Sequence, residues 1–199
     1  MGAKRVLAGA VLAVVVMGVV LGAQPDPTAS PVAPDVTRIV FALRAMGDRL
    51  HVALQLATMG VLSPTQLDQR LYAGQVVNHL VGPGGEEFNP RIMSEDGFTG
   101  LLVEARSLVG FLPQAEVSAE LRERLTSGLR RVLLLLTMAR DEVQTALRAR
   151  RLDVGADHML RAFAFLHAAL GRESDPIYLG GVLALLRILP SPPPPDRGP

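Results

Sequence analysis

The chain has 199 residues, close to half of them hydrophobic, and 20 basic against 19 acidic side chains leave a net charge of +1. That length fills one packed domain, and the balanced charge excludes a nucleic-acid-binding surface, which needs a basic excess gathered on one face. With no cysteine, no tryptophan and few aromatics, disulfides, thiolate metal sites, iron–sulfur clusters, c-type haem and cysteine nucleophiles are excluded, and stacking platforms for sugars are disfavoured.

Residues 1–23 have the pattern of an export signal. Lys4 and Arg5 form a positive start, Val6 to Leu21 carries no charge, and Gly22 and Ala23 precede Gln24-Pro25. Small residues before a helix breaker suit a signal peptidase, so cleavage after Ala23 is expected. The alternative is a retained anchor: about eighteen apolar residues at 1.5 Å each reach about 27 Å, just short of a hydrocarbon core. Either outcome places the body outside the cytoplasm, periplasmic or secreted, with contact to the membrane only where residues 6–23 are retained. Pro25, Pro27, Pro31 and Pro34 make residues 24–35 an extended linker, and the proline-rich residues 190–199 form a tail without core.

Residues 36–189 predict an all-α helical bundle of about six helices. Val36, Ile39, Val40, Leu43, Met46, Leu50, Leu54 and Ala57 recur at helical spacing. Ser63-Pro64-Thr65-Gln66 predicts a second start, with Ser63 as cap, and that helix runs through Leu67, Leu71, Val77 and Val81 to a stop at Gly82-Pro83-Gly84-Gly85. A third helix is expected from Thr99 to Leu112, ended by Pro113. A long fourth runs from Ser118 to Arg151; its centre, Val132 to Leu136, is apolar all round and predicts burial on most sides. Asp153 is expected to cap a fifth helix ending at Gly171, and Asp175-Pro176 a sixth reaching Leu189.

The body repeats itself. Arg38 to Leu54 aligns with Arg131 to Leu147 without gaps, and Leu71 to Gly82 aligns with Leu160 to Gly171 after a shorter connection. The shared order of helix, helix, glycine stop, loop and helix predicts two duplicated three-helix units.

Four candidate ligand-binding residues emerge: Asn78, His79, Asp96 and His167. His167 is the repeat counterpart of Asn78, and polar residues at matching positions of two halves suit either a shared site or plain hydrogen bonds to the backbone. Asp48 and Asp141 also match; facing each other they would hold a cation, but neither helix carries the Glu-x-x-His of di-metal bundles, and Arg44 and Arg140 offer ordinary ion pairs. The acidic loop from Glu86 to Gly97 has oxygen donors for calcium without the alternating acids of an EF-hand. No histidine pair has metal-site spacing, no catalytic motif is present, and no cofactor or metal is implied.

The stretch Ala73-Gly74-Gln75-Val76-Val77-Asn78-His79-Leu80-Val81-Gly82, followed by Asp96-Gly97-Phe98-Thr99-Gly100-Leu101-Leu102, resembles a set of uncharacterised exported all-helical bacterial proteins. Those carry a His-rich helix with a Val-Asn…Gly end and a Gly-Asp-Gly-Phe-Gly-like start to the next helix. The resemblance covers about thirty residues and implies an exported helical bundle of no known activity. The histidines it would place near Ala73 and Gln75 are absent here, so a metal site held by those positions would be lost in this chain. The reading that results is an exported helical-bundle binding or interaction protein of the cell envelope, with an unknown envelope protein or small ligand as partner. The alternative is an extracytoplasmic metal- or small-ligand-binding protein with its site at residues 78–96.

Overall fold

A computed structural model describes residues 33–92, 99–172, 174–176 and 180–190. The described residues form six α-helices and one 3-10 turn, with no strand among them: α1 Pro34–Val61, α2 Gln66–Val81, α3 Leu101–Phe111, the turn Leu112–Gln114, α4 Ala119–Arg148, α5 Leu152–Leu170 and α6 Val182–Arg187. The all-helical bundle expected from periodicity is what is found. No helix among the described residues is long and apolar enough to cross a membrane. Residues 1–32 and 191–199, with the export signal, most of the linker and most of the tail, lie outside the described residues, as do Asp96 and the rest of 93–98.

Helix α1 starts earlier than its apolar stripe. Pro34 sits in the first turn, where its missing N–H costs nothing, and Asp35 faces the positive helix end while its Oδ2 accepts a 2.7 Å bond from Glu116 N. The linker therefore gives way to helix two residues before the predicted boundary. Helix α2 is capped by Thr65, not Ser63: the Thr65 hydroxyl accepts from Asp68 N at 3.1 Å, while Ser63 Oγ turns back to Met59 O at 2.7 Å. Ser118 caps α4 through Leu121 N, and the helix spans Ala119–Arg148. Asp153 does not cap α5; it lies inside the first turn and pairs with the N-cap residue Arg151. Helix α6 begins after Gly181 rather than at Asp175.

One apolar core joins all six helices. Helices α1 and α4 are its long members; α1 lies against α2 and α5, and α4 against α5 and α2. The short helices are exchanged, α3 packing on α4 and α6 on α1. Ile39, Leu43, Met46, Leu50 and Ala53 of α1 are buried, and so are Val132, Leu136, Ala139, Val143 and Ala146, the positions in the register of Arg38 with Arg131. Each buried leucine contributes roughly 1.5–3 kcal/mol.

Both glycine stops have the same construction. Gly82 (φ 72°, ψ 173°) and Gly171 (φ 69°, ψ −167°) end α2 and α5 in a region that only glycine adopts readily. Each backbone touches a second glycine that opens the next helix, Gly100 before α3 and Gly181 before α6.

One apolar expectation fails for a geometric reason. The centre of α4 is not buried on most sides: Val132 and Leu136 face the core, Leu133 and Leu135 are half-buried, and Leu134 is 59% exposed. Leu134→Gln is therefore expected to leave the thermal midpoint unchanged within about 0.5 kcal/mol of stability, as a melting curve would show. In α2, Leu67 and Leu71 point outward while Gln69 takes the buried face.

Candidate functional site

Two places concentrate the polar chemistry and the exposed apolar surface, at opposite ends of α2. At its C-terminal end, Asn78 is fully buried. Its Nδ2 donates to Asn89 O and its Oδ1 accepts from Asn89 N, both at 2.8 Å. That pair of bonds mimics a strand ladder and ties the loop after Gly82 to the helix. Both the amide nitrogen and the oxygen of the buried carboxamide thus find a backbone partner in the loop, so Asn78 acts as a loop clamp.

His79, the next residue, is half-buried. Burial and the nearby Arg49 guanidinium hold its imidazole below the ordinary value of 6.5. Arg49 itself bridges three elements: Nη2 bonds Glu104 of α3 at 2.9–3.0 Å, Nε reaches Ala45 O, and Nη1 donates to Thr99 O. Burial raises the Glu104 carboxyl above its usual range, with Arg49 opposing. The sequence reading missed Arg49 and Glu104. Their signal was a charged residue on the flank of each apolar stripe, beside Leu50 and Ala105. A guanidinium next to an imidazole repels cations, so this cluster is a poor metal site. Among the described residues no group of three His, Cys, Asp or Glu side chains is placed to hold a metal ion.

The depressed His79 pKa sets a pH dependence. A histidine protonated more readily in the unfolded chain favours unfolding as acid is added. Its contribution is intact above pH 6.5 and is lost as pH falls below that value towards the folded pKa. The raised Glu104 acts in the opposite sense, its penalty easing at acid pH. Melting curves are expected to show that His79→Gln removes the loss of stability on acidification just below pH 6.5.

The other candidates separate. His167 is exposed on α5 and stacks on Phe163 at 6.1 Å between ring centroids, so Asn78 and His167 are not matching buried polar positions. His158 Nδ1 lies 2.6 Å from Glu142 Oε2 between α5 and α4, and His51 Nδ1 meets Gly47 O on its own helix. Asp48 is exposed on α1, and exposed Asp141 accepts two bonds from Arg140.

At the N-terminal end of α2, polar side chains join the two interhelix turns. Gln66 Nε2 and Arg70 Nη2 both donate to Ala149 O, at 2.7 and 3.0 Å, where α4 ends. Gln69 Nε2 donates to Leu152 O at 3.1 Å and Gly60 O at 3.4 Å. These carbonyls draw Gln69 inward, and the helical spacing then turns Leu67 and Leu71 out. Leu67 is 78% exposed and Leu62, just before the turn, 71%. Leu67 and Leu71 border an open groove of about 530 Å³ between α2, the following loop and α4, with Val77, Ile92 and Leu147 along it. Burying glutamine while exposing leucines is the reverse of what a solvent-facing bundle end needs.

No family model, curated protein or solved structure matches this chain.

Proposed function

We propose that this chain is an exported docking module of the cell envelope, made of two copies of a three-helix unit, which engages its partner through the end of the bundle formed by the α1–α2 and α4–α5 turns. The observation that carries the docking reading is the inverted face of α2, with Gln69 inside and Leu67 and Leu71 outside beside a groove of mixed apolar and polar lining. Exposed aliphatic side chains gathered at one place are what binding surfaces present. The identical glycine junctions, the matched buried positions of α1 and α4 and the exchanged short helices support the duplication. The exposed Phe41 and Leu134 stand at matched positions, and so do Leu71 and Leu160. Export rests on the basic start, apolar run and proline-rich linker of residues 1–35.

Fractionation with N-terminal sequencing tests the export part. The chain is expected outside the cytoplasm with Gln24 as its first residue; a cytoplasmic chain that still begins at Met1 contradicts it.

A further inference from the structure

We propose that the partner of the turn end is an anionic lipid surface. This rests on the docking reading and names what docks. Among the described residues, five of the eleven exposed large apolar side chains, Met59, Leu62, Leu67, Leu71 and Val154, lie on or next to the two turns that Gln66, Gln69 and Arg70 hold together. Four exposed arginines, Arg70, Arg148, Arg150 and Arg151, surround them. The acids in the same segments are Asp68, Asp153 and Asp157: Asp68 accepts the Thr65 hydroxyl at 2.6 Å in the helix cap and Asp153 is paired with Arg151, while Arg70 donates to Ala149 O, which leaves Arg148 and Arg150 to face an anionic partner. No glutamate falls within residues 59–71 or 148–158, although Glu142 pairs with His158 and Glu87 lines the groove beside Arg70.

The turn end thus joins exposed aliphatic side chains to a small excess of arginine over aspartate, and its guanidinium groups complement phosphate headgroups. Shape favours lipid over protein. Leu62 and Leu67 protrude on either side of a tight turn, where they reach the acyl boundary while guanidinium groups stay at the level of the phosphates, which they bind in bidentate fashion. Protein-binding hot spots favour aromatic anchors in desolvated pockets, and the apolar residues of this end are aliphatic.

The core runs from Val36 to Leu189, so the chain from Gln24 onward carries its own core and is the species to test. Co-sedimentation with phosphatidylcholine vesicles is compared with vesicles that also contain phosphatidylglycerol. Binding is expected to the anionic vesicles alone and to weaken as salt is added. Leu67→Gln is expected to reduce it about tenfold, and Arg148→Gln with Arg150→Gln about twentyfold. Leu134→Gln, also exposed but on the outer face of α4, is expected to change nothing, and melting curves establish that each variant is folded. Absence of binding, equal binding to both vesicle types, or equal loss in the Leu134 variant overturns the proposal. If position 67 crosslinks to a protein partner or a second copy while vesicles fail, docking stands and the lipid assignment falls; if both fail, docking falls too.

Discussion

Gly82→Ala and Gly171→Ala are each expected to destabilise the fold by about 3–5 kcal/mol, near the top of the range for single substitutions. Two costs combine. The backbone at both positions has positive φ with extended ψ, which an L side chain adopts only under strain. A Cβ on Gly82 would also overlap Gly100 N and stand 2.8 Å from Gly100 Cα, and one on Gly171 would overlap Gly181 N and stand 2.8 Å from Gly181 Cα. Neither obstacle is a side chain that can rotate away. In a domain of this size the thermal midpoint is expected to fall by about 10 °C for each. Gly110→Ala is the internal control: it lies in α3 with nothing near its Cβ position, and is expected to raise stability by about 0.5–1 kcal/mol. Equal effects at Gly82 and Gly171 accord with a duplicated junction; a mild effect at either contradicts the packing described.

Gly155→Ala is expected to cost about 2–3 kcal/mol through a different route. A Cβ there would overlap Gln69 Oε1 and lie 2.8 Å from Gln69 Cδ. Gln69 is almost wholly buried and its amide serves the Leu152 and Gly60 carbonyls, so moving it strains or breaks those bonds. Gln69→Ala alone leaves those carbonyls short of a donor and is expected to cost about 2 kcal/mol. The double variant Gly155→Ala with Gln69→Ala is expected to cost less than the sum by about 1 kcal/mol or more, because the clash needs both groups. Simple additivity in denaturant unfolding would mean that Gln69 escapes without loss.

Much of the fold was legible because most of it is written in local periodicity. The stripes from Val36 to Ala57 and from Val132 to Ala146 carry enough apolar positions to fix helix and face, and a glycine after Val81 or Leu170 is a stop wherever it packs. Cap identity was harder. Ser63-Pro64-Thr65 offers two hydroxyls, and the choice of Thr65 depends on Asp68 following it by three residues. The inward turn of Gln69 was not legible at all. It depends on carbonyls at Leu152, far along the chain, whose position is set by how α4 hands over to α5. For the same reason nothing in the sequence separates Leu67 and Leu71, which are surface, from Val77 and Val81, which are core. At the other end Asn78 was singled out correctly as a polar residue in an apolar helix, but its partner, the backbone of Asn89, identifies a loop clamp. Arg49 and Glu104 sit on different helices, and only packing brings them together.

The central claim is that the bundle meets its partner through the two turns at the N-terminal end of α2. Lys4 is the only lysine of the chain, so amine-directed crosslinkers are blind to the body. A photoreactive amino acid placed at Leu67 in intact cells, with the same group placed at Glu123 near the start of α4, tests the claim most directly. Adducts to lipid or protein are expected from position 67 and not from position 123. Adducts from position 123 alone, or from neither, would contradict it.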